Sequence, residues 1–366
     1  MNITTSKSLL LCLTLILLCG VLSNVRAQGF ETVKYGGDFL SVGGGARALG
    51  MGSAHVSMVR DVTAGYWNPA GLTHIDNLQL AYMHSERFAG IVAYDYGAAA
   101  IPVRGSDDVL AISFFRQGVD GIKNTLDAWD SENNRPRSDP SQYFTEFSAA
   151  DMAVFVTYAS PISENLSWGA SAKVLNSRLG PFASAWGYSL DLGAMYTSGN
   201  FSAGVNLMDI TTMMKLWSVN QDELQQLADS FQDDIPQGVN ERVPPTVKFG
   251  LSHFFDFGDI TFMAGADTDL RFEGRRAYYY NIGDMSIEPH VGGELGYQDL
   301  VFIRAGVTDF NTDPEGNFYA SPTLGAGLKI GSVYLDYGFA GFGGIATDLG
   351  FTHRLSLKVD FAGILK

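Results

Sequence analysis

From residue 77 onward the chain is written in short segments whose apolar side chains fall on every other position, joined alternately by tight turns and long polar loops. Successive side chains of a strand face opposite sides, so each such segment has one apolar and one polar face. In 354–361, Leu355, Leu357, Val359 and Phe361 share one face, while Arg354, Ser356, Lys358 and Asp360 share the other. The same rule sets Tyr188, Leu190, Leu192, Ala194 and Tyr196 against Ser189, Asp191, Gly193 and Thr197. It also sets Ile260, Phe262, Ala264 and Ala266 against Thr261, Gly265 and Asp267. Period two along the chain predicts fourteen strands, at 77–85, 90–103, 107–117, 148–160, 164–176, 185–198, 200–209, 245–256, 258–269, 287–297, 299–308, 321–330, 332–340 and 350–362.

A soluble barrel alternates too, with its apolar face inward, so alternation alone does not place these strands in lipid. The connections do. Those at 104–106, 161–163, Gly199, Phe257, Gln298 and Gly331 are tight, whereas 118–147, 210–244, 270–286 and 309–320 are long. Short periplasmic turns and long surface loops are the habit of outer-membrane barrels. Composition agrees: 17% of residues are charged, 42 of 366 are Gly, and no long apolar run follows the N-terminal region. The expected fold is all-β, a transmembrane antiparallel barrel of about fourteen strands over 76–366, surrounded by outer-membrane lipid. Its even strand number puts both termini in the periplasm of a Gram-negative cell.

Lys7 precedes an uncharged, Leu-rich run over 8–25 that ends in Val25-Arg26-Ala27, the form of a signal peptide cleaved after residue 27. An uncleaved anchor fits less well, because the densest apolar stretch stops near Leu22. Lipoprotein processing at Cys19 is disfavoured by Leu18, where a small residue is needed. Both cysteines, Cys12 and Cys19, lie in the leader, so the mature chain is expected to hold no disulfide, thiol nucleophile or cysteine metal site. Losing 1–27 removes Lys7 and Arg26 but no acid, which takes the net charge from -15 to -17. So acidic a chain repels phosphate backbones, and no nucleic-acid partner is expected.

Residues 28–75 do not follow the strand rhythm. They carry a Gly-rich stretch over 42–52 with Gly45, Ala46, Arg47, Gly50 and Gly52, and then Trp67, Asn68, Pro69, Ala70 and Gly71. Without a Gly-Lys-Ser/Thr or a βαβ pattern, this is no nucleotide loop. Small residues allow close backbone approach and Asn68-Pro69 starts a turn, so the segment is expected to fold as a plug inside the lumen. Arg47 is then expected to pair with a lumen acid such as Asp191 or Asp267.

Two loops carry the remaining irregular chemistry. Within 210–244, Leu224, Leu227, Ala228 and Phe231 recur at helical spacing, which predicts a short capping helix over 222–233. Met208, Met213, Met214, Leu216 and Trp217 beside it, and Trp129 in 118–147, form a candidate docking surface for a protein partner. The six histidines, His55, His74, His84, His253, His290 and His353, have no metal-ligand spacing, and no Gly-x-Ser-x-Gly elbow occurs. No catalytic residue, cofactor or metal is expected, and the reading is non-enzymatic.

The stretch Gly37-Asp38-Phe39-Leu40 through Gly45-Ala46-Arg47-Ala48-Leu49-Gly50-Met51-Gly52, then Asp61 and Tyr66-Trp67-Asn68-Pro69-Ala70-Gly71-Leu72, resembles the N-terminal signature of the PorV/PorQ family of outer-membrane proteins. The Asn68-Pro69-Ala70 element is also similar to the wider group of long-chain fatty acid transporters with a plugged fourteen-strand barrel. The close likeness covers about a tenth of the chain. It implies a monomeric plugged barrel serving type IX protein secretion or surface attachment, with secreted cargo or secretion-system subunits as partners. The alternative is a conduit for small hydrophobic compounds. A cargo shuttle requires an exposed recognition surface on 118–147 and 210–244, and a conduit requires an apolar pocket near the plug with a strand kink beside it.

Overall fold

The computed structural model describes residues 30–32, 37–88, 90–130, 133, 135–225, 238, 240–272, 280–283, 285–312, 318–341 and 351–362. The leader expected over 1–27, Phe231 and most of the helix expected over 222–233 lie outside them; 221–225 is helical.

All fourteen expected strands are present: β1 (Leu78–Arg87), β2 (Val92–Pro102), β3 (Val109–Asn124), β4 (Thr145–Pro161), β5 (Leu166–Leu179), β6 (Ala183–Ser198), β7 (Phe201–Met208), β8 (Thr246–Asp256), β9 (Ile260–Arg271), β10 (Met285–Tyr297), β11 (Val301–Thr312), β12 (Phe318–Ile330), β13 (Val333–Gly341) and β14 (Phe351–Phe361). Each pairs antiparallel with its neighbours in sequence, and β1 pairs with β14 from Leu78↔Phe361 to Glu86↔His353, which closes the cylinder. Closure satisfies the backbone groups that an open edge would leave bare in lipid. Among the described residues no helix is long and apolar enough to cross a membrane.

The faces follow the alternation. Leu355 and Leu357, Tyr188, Leu190 and Leu192, and Ile260 and Phe262 are exposed on the outside, while Arg354, Ser189, Asp191 and Asp267 are buried inside. Exposed Leu110, Ile112, Phe249, Leu251, Leu324 and Leu335 continue an apolar exterior around the barrel. An exposed apolar surface of that extent is a liability in water and a match for lipid.

The lumen is packed. Residues 37–75 form short helical turns, α1 (Asp38–Ser41), α2 (Ala46–Gly50), α3 (Ala64–Trp67) and a 3-10 turn (Pro69–His74). α2 lies against β11 to β14, and the 3-10 turn against β3 to β6 on the other side. Glycines in the wall permit this approach: a Cβ on Gly338 would meet Ala46 O at 2.6 Å, one on Gly204 Val56 O at 2.7 Å, and ones on Gly292, Gly306 and Gly193 would strike Met51, Gly52 and Asn68 more closely still. One flank of the segment packs into aromatic side chains, with Tyr66, Trp67, Tyr94, Tyr96, Phe115 and Phe155 in ring contact. The other meets ion pairs on β8 to β14.

Candidate functional site

Every residue of the N-terminal motif makes a specific contact. Gly45 takes φ +94°, which an L side chain resists, and its N–H meets Met83 Sδ at 3.1 Å. Ala46 N–H donates to Ser356 Oγ (2.7 Å), and Gly52 N–H to Thr323 Oγ1 (2.9 Å). Gly50 lies against Gly325. Trp67 Nε1 donates to Gly44 O (2.7 Å). Asn68 caps the 3-10 turn by accepting from Ala70 N–H, with Pro69 at its first position, and its Nδ2 donates to Val56 O (3.0 Å) and Ala194 O (3.1 Å). Gly71 has no room for a side chain beside Val59 O. Burial pushes the His55 imidazole, edge-on to Trp67, down to about 3, so it is neutral.

Arg47 does have an acidic partner, but not the ones expected. It donates through Nε and Nη2 to both oxygens of Glu294 at 2.8 Å, and Glu294 also pairs with Arg304, which reaches Asp336 at 2.7 Å. Asp267 instead accepts from the N–H groups of His55 (2.6 Å) and Val56 (2.7 Å), and Asp191 holds Lys173. Side-chain type alone could not choose among the lumen acids; α2's seat against β11 to β14 does.

The loop residues singled out for docking are placed differently from expectation. Residues 213–219 form a strand that pairs with 183–188 of β6 and with Asn240–Val243. Met208 and Met213 are therefore buried, and Met213 packs under Gly37. Met214 and Trp217 are half-buried, the latter beneath the Lys215 ammonium at 4.9 Å. Leu224 is half-buried, and Trp129 and Asp130 pair antiparallel with Pro136 and Arg135.

Between Met208 and Met213 the wall is broken. The β7–β8 ladder ends at Met208↔Thr246 and resumes at Met213↔Val243, so four residues face Pro244 and Pro245. Neither proline has an N–H to give, which is why pairing stops there. Asp209 and Thr212 take φ of 56° and 58°, unusual for residues with a side chain. On the β6 side Ile210 N–H reaches Leu190 O at 2.9 Å, and Asp209 N–H reaches Asp191 Oδ1 at 2.7 Å.

A cavity of about 60 Å³ lies inside the break, lined by Leu40, Tyr66, Met208, Met213 and Val243 with Lys173, Lys248 and Arg271. That is room for roughly two waters. Outside it lies an apolar groove of about 260 Å³ lined by Leu110, Val156, Tyr158, Ala170, Leu190 and Ile210. Lys173 joins the two linings. It is 1% exposed, and its ammonium lies 2.8 Å from Asp191, at the groove, and 2.8 Å from Asp209, at the cavity. A hollow of about 490 Å³ at the short-turn end is polar, with Asp76, Asp107, Asp108 and Glu164 in its wall.

No family model and no curated protein matches the chain, so the PorV/PorQ resemblance rests on its motif residues. Among solved structures, the chain is similar to the CymD monoaromatic hydrocarbon channel, at 14% identity and TM-score 0.51 over 87% of this chain and 98% of that one. It is likewise similar to the Pseudomonas putida toluene transporter TodX, at 14% identity and TM-score 0.51 over 87% and 97%. A Pseudomonas aeruginosa FadL homologue aligns at 13% identity and TM-score 0.48 over 86% and 98%. The likeness to CymD and TodX is one of fold.

Proposed function

We propose that this chain is a non-enzymatic, monomeric outer-membrane conduit for small hydrophobic compounds, with residues 37–75 acting as its plug. The carrying observation is the broken wall at 209–212, which has on its lumen side a small cavity of mixed lining, with Leu40, Tyr66, Met208, Met213 and Val243 beside Lys173, Lys248 and Arg271, and on its lipid side an apolar groove. An apolar solute is stabilised along such a path by roughly 25 cal/mol per Å² removed from water. At the short-turn end the same solute would meet a wall that sets Asp76, Asp107, Asp108 and Glu164 beside its apolar residues. At about 60 Å³ the cavity is too small for an aromatic hydrocarbon, so passage requires the plug near Leu40 to shift, and Lys173 must release Asp191 or Asp209.

The fold shared with hydrocarbon channels supports this reading. The secretion role implied by the N-terminal motif draws less support, because burial of Met213 and pairing of 213–219 remove much of the surface a cargo would grip.

The test is uptake of a labelled monoaromatic hydrocarbon by cells carrying the chain or a variant in which Pro244-Pro245 is replaced by Thr-Val, with folding checked by heat-modifiable gel mobility. Chain-dependent uptake that falls toward background once the ladder can close supports the conduit. Uptake equal to that of cells lacking the chain, together with copurifying exported proteins, overturns it in favour of a secretion role.

A further inference from the structure

The outer ends of β9 and β10 bring Asp269, Glu288 and His290 together although the sequence holds no metal-like histidine spacing. We propose that these three side chains bind one divalent metal cation of the zinc or manganese kind, which staples residues 37–75 to the barrel wall.

The first argument is spacing. One ligand atom from each residue lies within 4.8 Å of the others. His290 Nε2 is 3.8 Å from Asp269 Oδ2 and 4.0 Å from Glu288 Oε1, too far for a hydrogen bond. Metal–nitrogen and metal–oxygen bonds of about 2.0–2.2 Å place neighbouring ligands of a tetrahedral ion roughly 3.4 Å apart, so the three side chains must draw in by about half an ångström or more to hold one ion.

The second argument is the histidine. His290 is 5% exposed, yet Nε2 has no hydrogen bond among the described residues. Its Nδ1 lies 3.0 Å from Gly52 O and 2.9 Å from Thr308 Oγ1. A carbonyl only accepts, so Nδ1 carries a hydrogen and Nε2 faces two carboxylates. A bare nitrogen is repelled there unless a cation, a proton or a metal ion, lies between it and the acids, and a backbone carbonyl on the far nitrogen is how metal-bound histidines are held.

The third argument is charge. Asp267, Asp269, Glu288 and Asp309 act electrostatically on or around His290. Against them stand Lys248, paired with Asp269 Oδ2, Arg271, which lies 3.3 Å from Glu288 Oε2 and leaves Oε1 to face the imidazole, and Arg87, which acts on Asp309. Four acids against three bases leave the cluster net negative, which favours a cation. A mixed set of one imidazole and carboxylates suits zinc or manganese better than calcium.

The consequence is mechanical. His290 grips Gly52, and Asp267, two residues along β9 from Asp269, grips the His55 and Val56 amides, so an ion here stiffens the centre of the lumenal segment.

The test uses the full-length protein in detergent, stripped with chelator and titrated with Zn²⁺ or Mn²⁺, with bound metal counted by elemental analysis. One ion per folded chain and a raised unfolding temperature are expected. Glu288→Gln and His290→Gln should each weaken binding at least about 10- to 100-fold, Thr308→Val, which only orients the ring, about 10-fold, and exposed His253→Gln not at all. Glu288→Gln keeps the shape of the site and serves if the His290 variant does not fold. A folded wild type that takes up neither metal overturns the proposal, and protons on both His290 nitrogens by NMR then show a proton as the occupant. Equal loss of metal in His253→Gln overturns it too, as adventitious surface binding.

Discussion

Arg304 and Arg47 share one carboxylate, Glu294, with Arg304 itself only 3% exposed. Deleting one member of a buried pair strands the other charge. Glu294→Ala is therefore expected to cost about 3 to 5 kcal/mol. Asn68→Ala removes two buried hydrogen bonds and a cap, at about 1 to 3 kcal/mol for each group left unsatisfied. Both losses are measured as lowered unfolding midpoints in detergent or lipid. Midpoints within about 0.5 kcal/mol of the parent for both variants would contradict the lumenal contacts described above. The motif residues were legible as a packed, turn-rich segment because small residues and Asn-Pro have local meanings. Which acid Arg47 meets depends on where α2 docks against β11 to β14, and nothing local encodes that.

At the level of single strands, β14 separates lipid from lumen. Leu357, exposed on the outside, is expected to cost about 2 to 4 kcal/mol when replaced by Arg near the membrane midplane. Alternation alone suggests that Ser356→Arg is mild, because the lumen face of a barrel is wet. Here Ser356 Oγ accepts from Ala46 N–H, so the larger side chain must displace α2, and Ser356→Arg is expected to destabilise as well. Refolding in lipid compares the two, and a Ser356→Arg barrel with unaltered stability would argue against the seat of α2. The loops give a topology test. With the leader removed, a cysteine placed at Glu223 should react with an impermeant thiol reagent on intact cells, while one at Ser163, in a tight turn, should not. The reverse pattern inverts the orientation. Strand positions were legible because period two is a local signal. The break at 209–212 is not legible in the sequence because residues 210–244 read as one long loop, although Pro244-Pro245 beside a strand is a local sign of it.

As a whole molecule the barrel is a closed cylinder, its wall interrupted at 209–212, around a filled interior. Two cavities in the lumen beside residues 37–75 measure about 20 and 60 Å³, too little for a water path through them, and the hollow of about 490 Å³ lies at the short-turn end, beside Thr73, His74 and Ile75. The intact protein in a planar bilayer is expected to conduct no measurable ion current, whereas a variant lacking 37–75, confirmed as folded by its heat-modifiable mobility, should open steps of current. Equal, large conductance from both would mean that the segment does not fill the lumen. Its ionic side would then face water, with Glu294, Asp336 and Asp269 lining an acidic pore that favours cations.

Period-two alternation, loop asymmetry and a Gly-rich prelude determined by themselves the fourteen-strand barrel, the sorting of each strand's faces and the existence of a distinct N-terminal segment. All three are local, since the facing of a side chain and the preference for a turn depend on residues a few positions away. The tertiary structure decided what depends on distant strands meeting. It brought Glu294 to Arg47, Asp209 and Asp191 to Lys173, Met213 beneath Gly37, and His290 between Asp269 and Glu288. Those contacts are set by shear and closure of the whole cylinder around residues 37–75, so they emerge only when the barrel has closed.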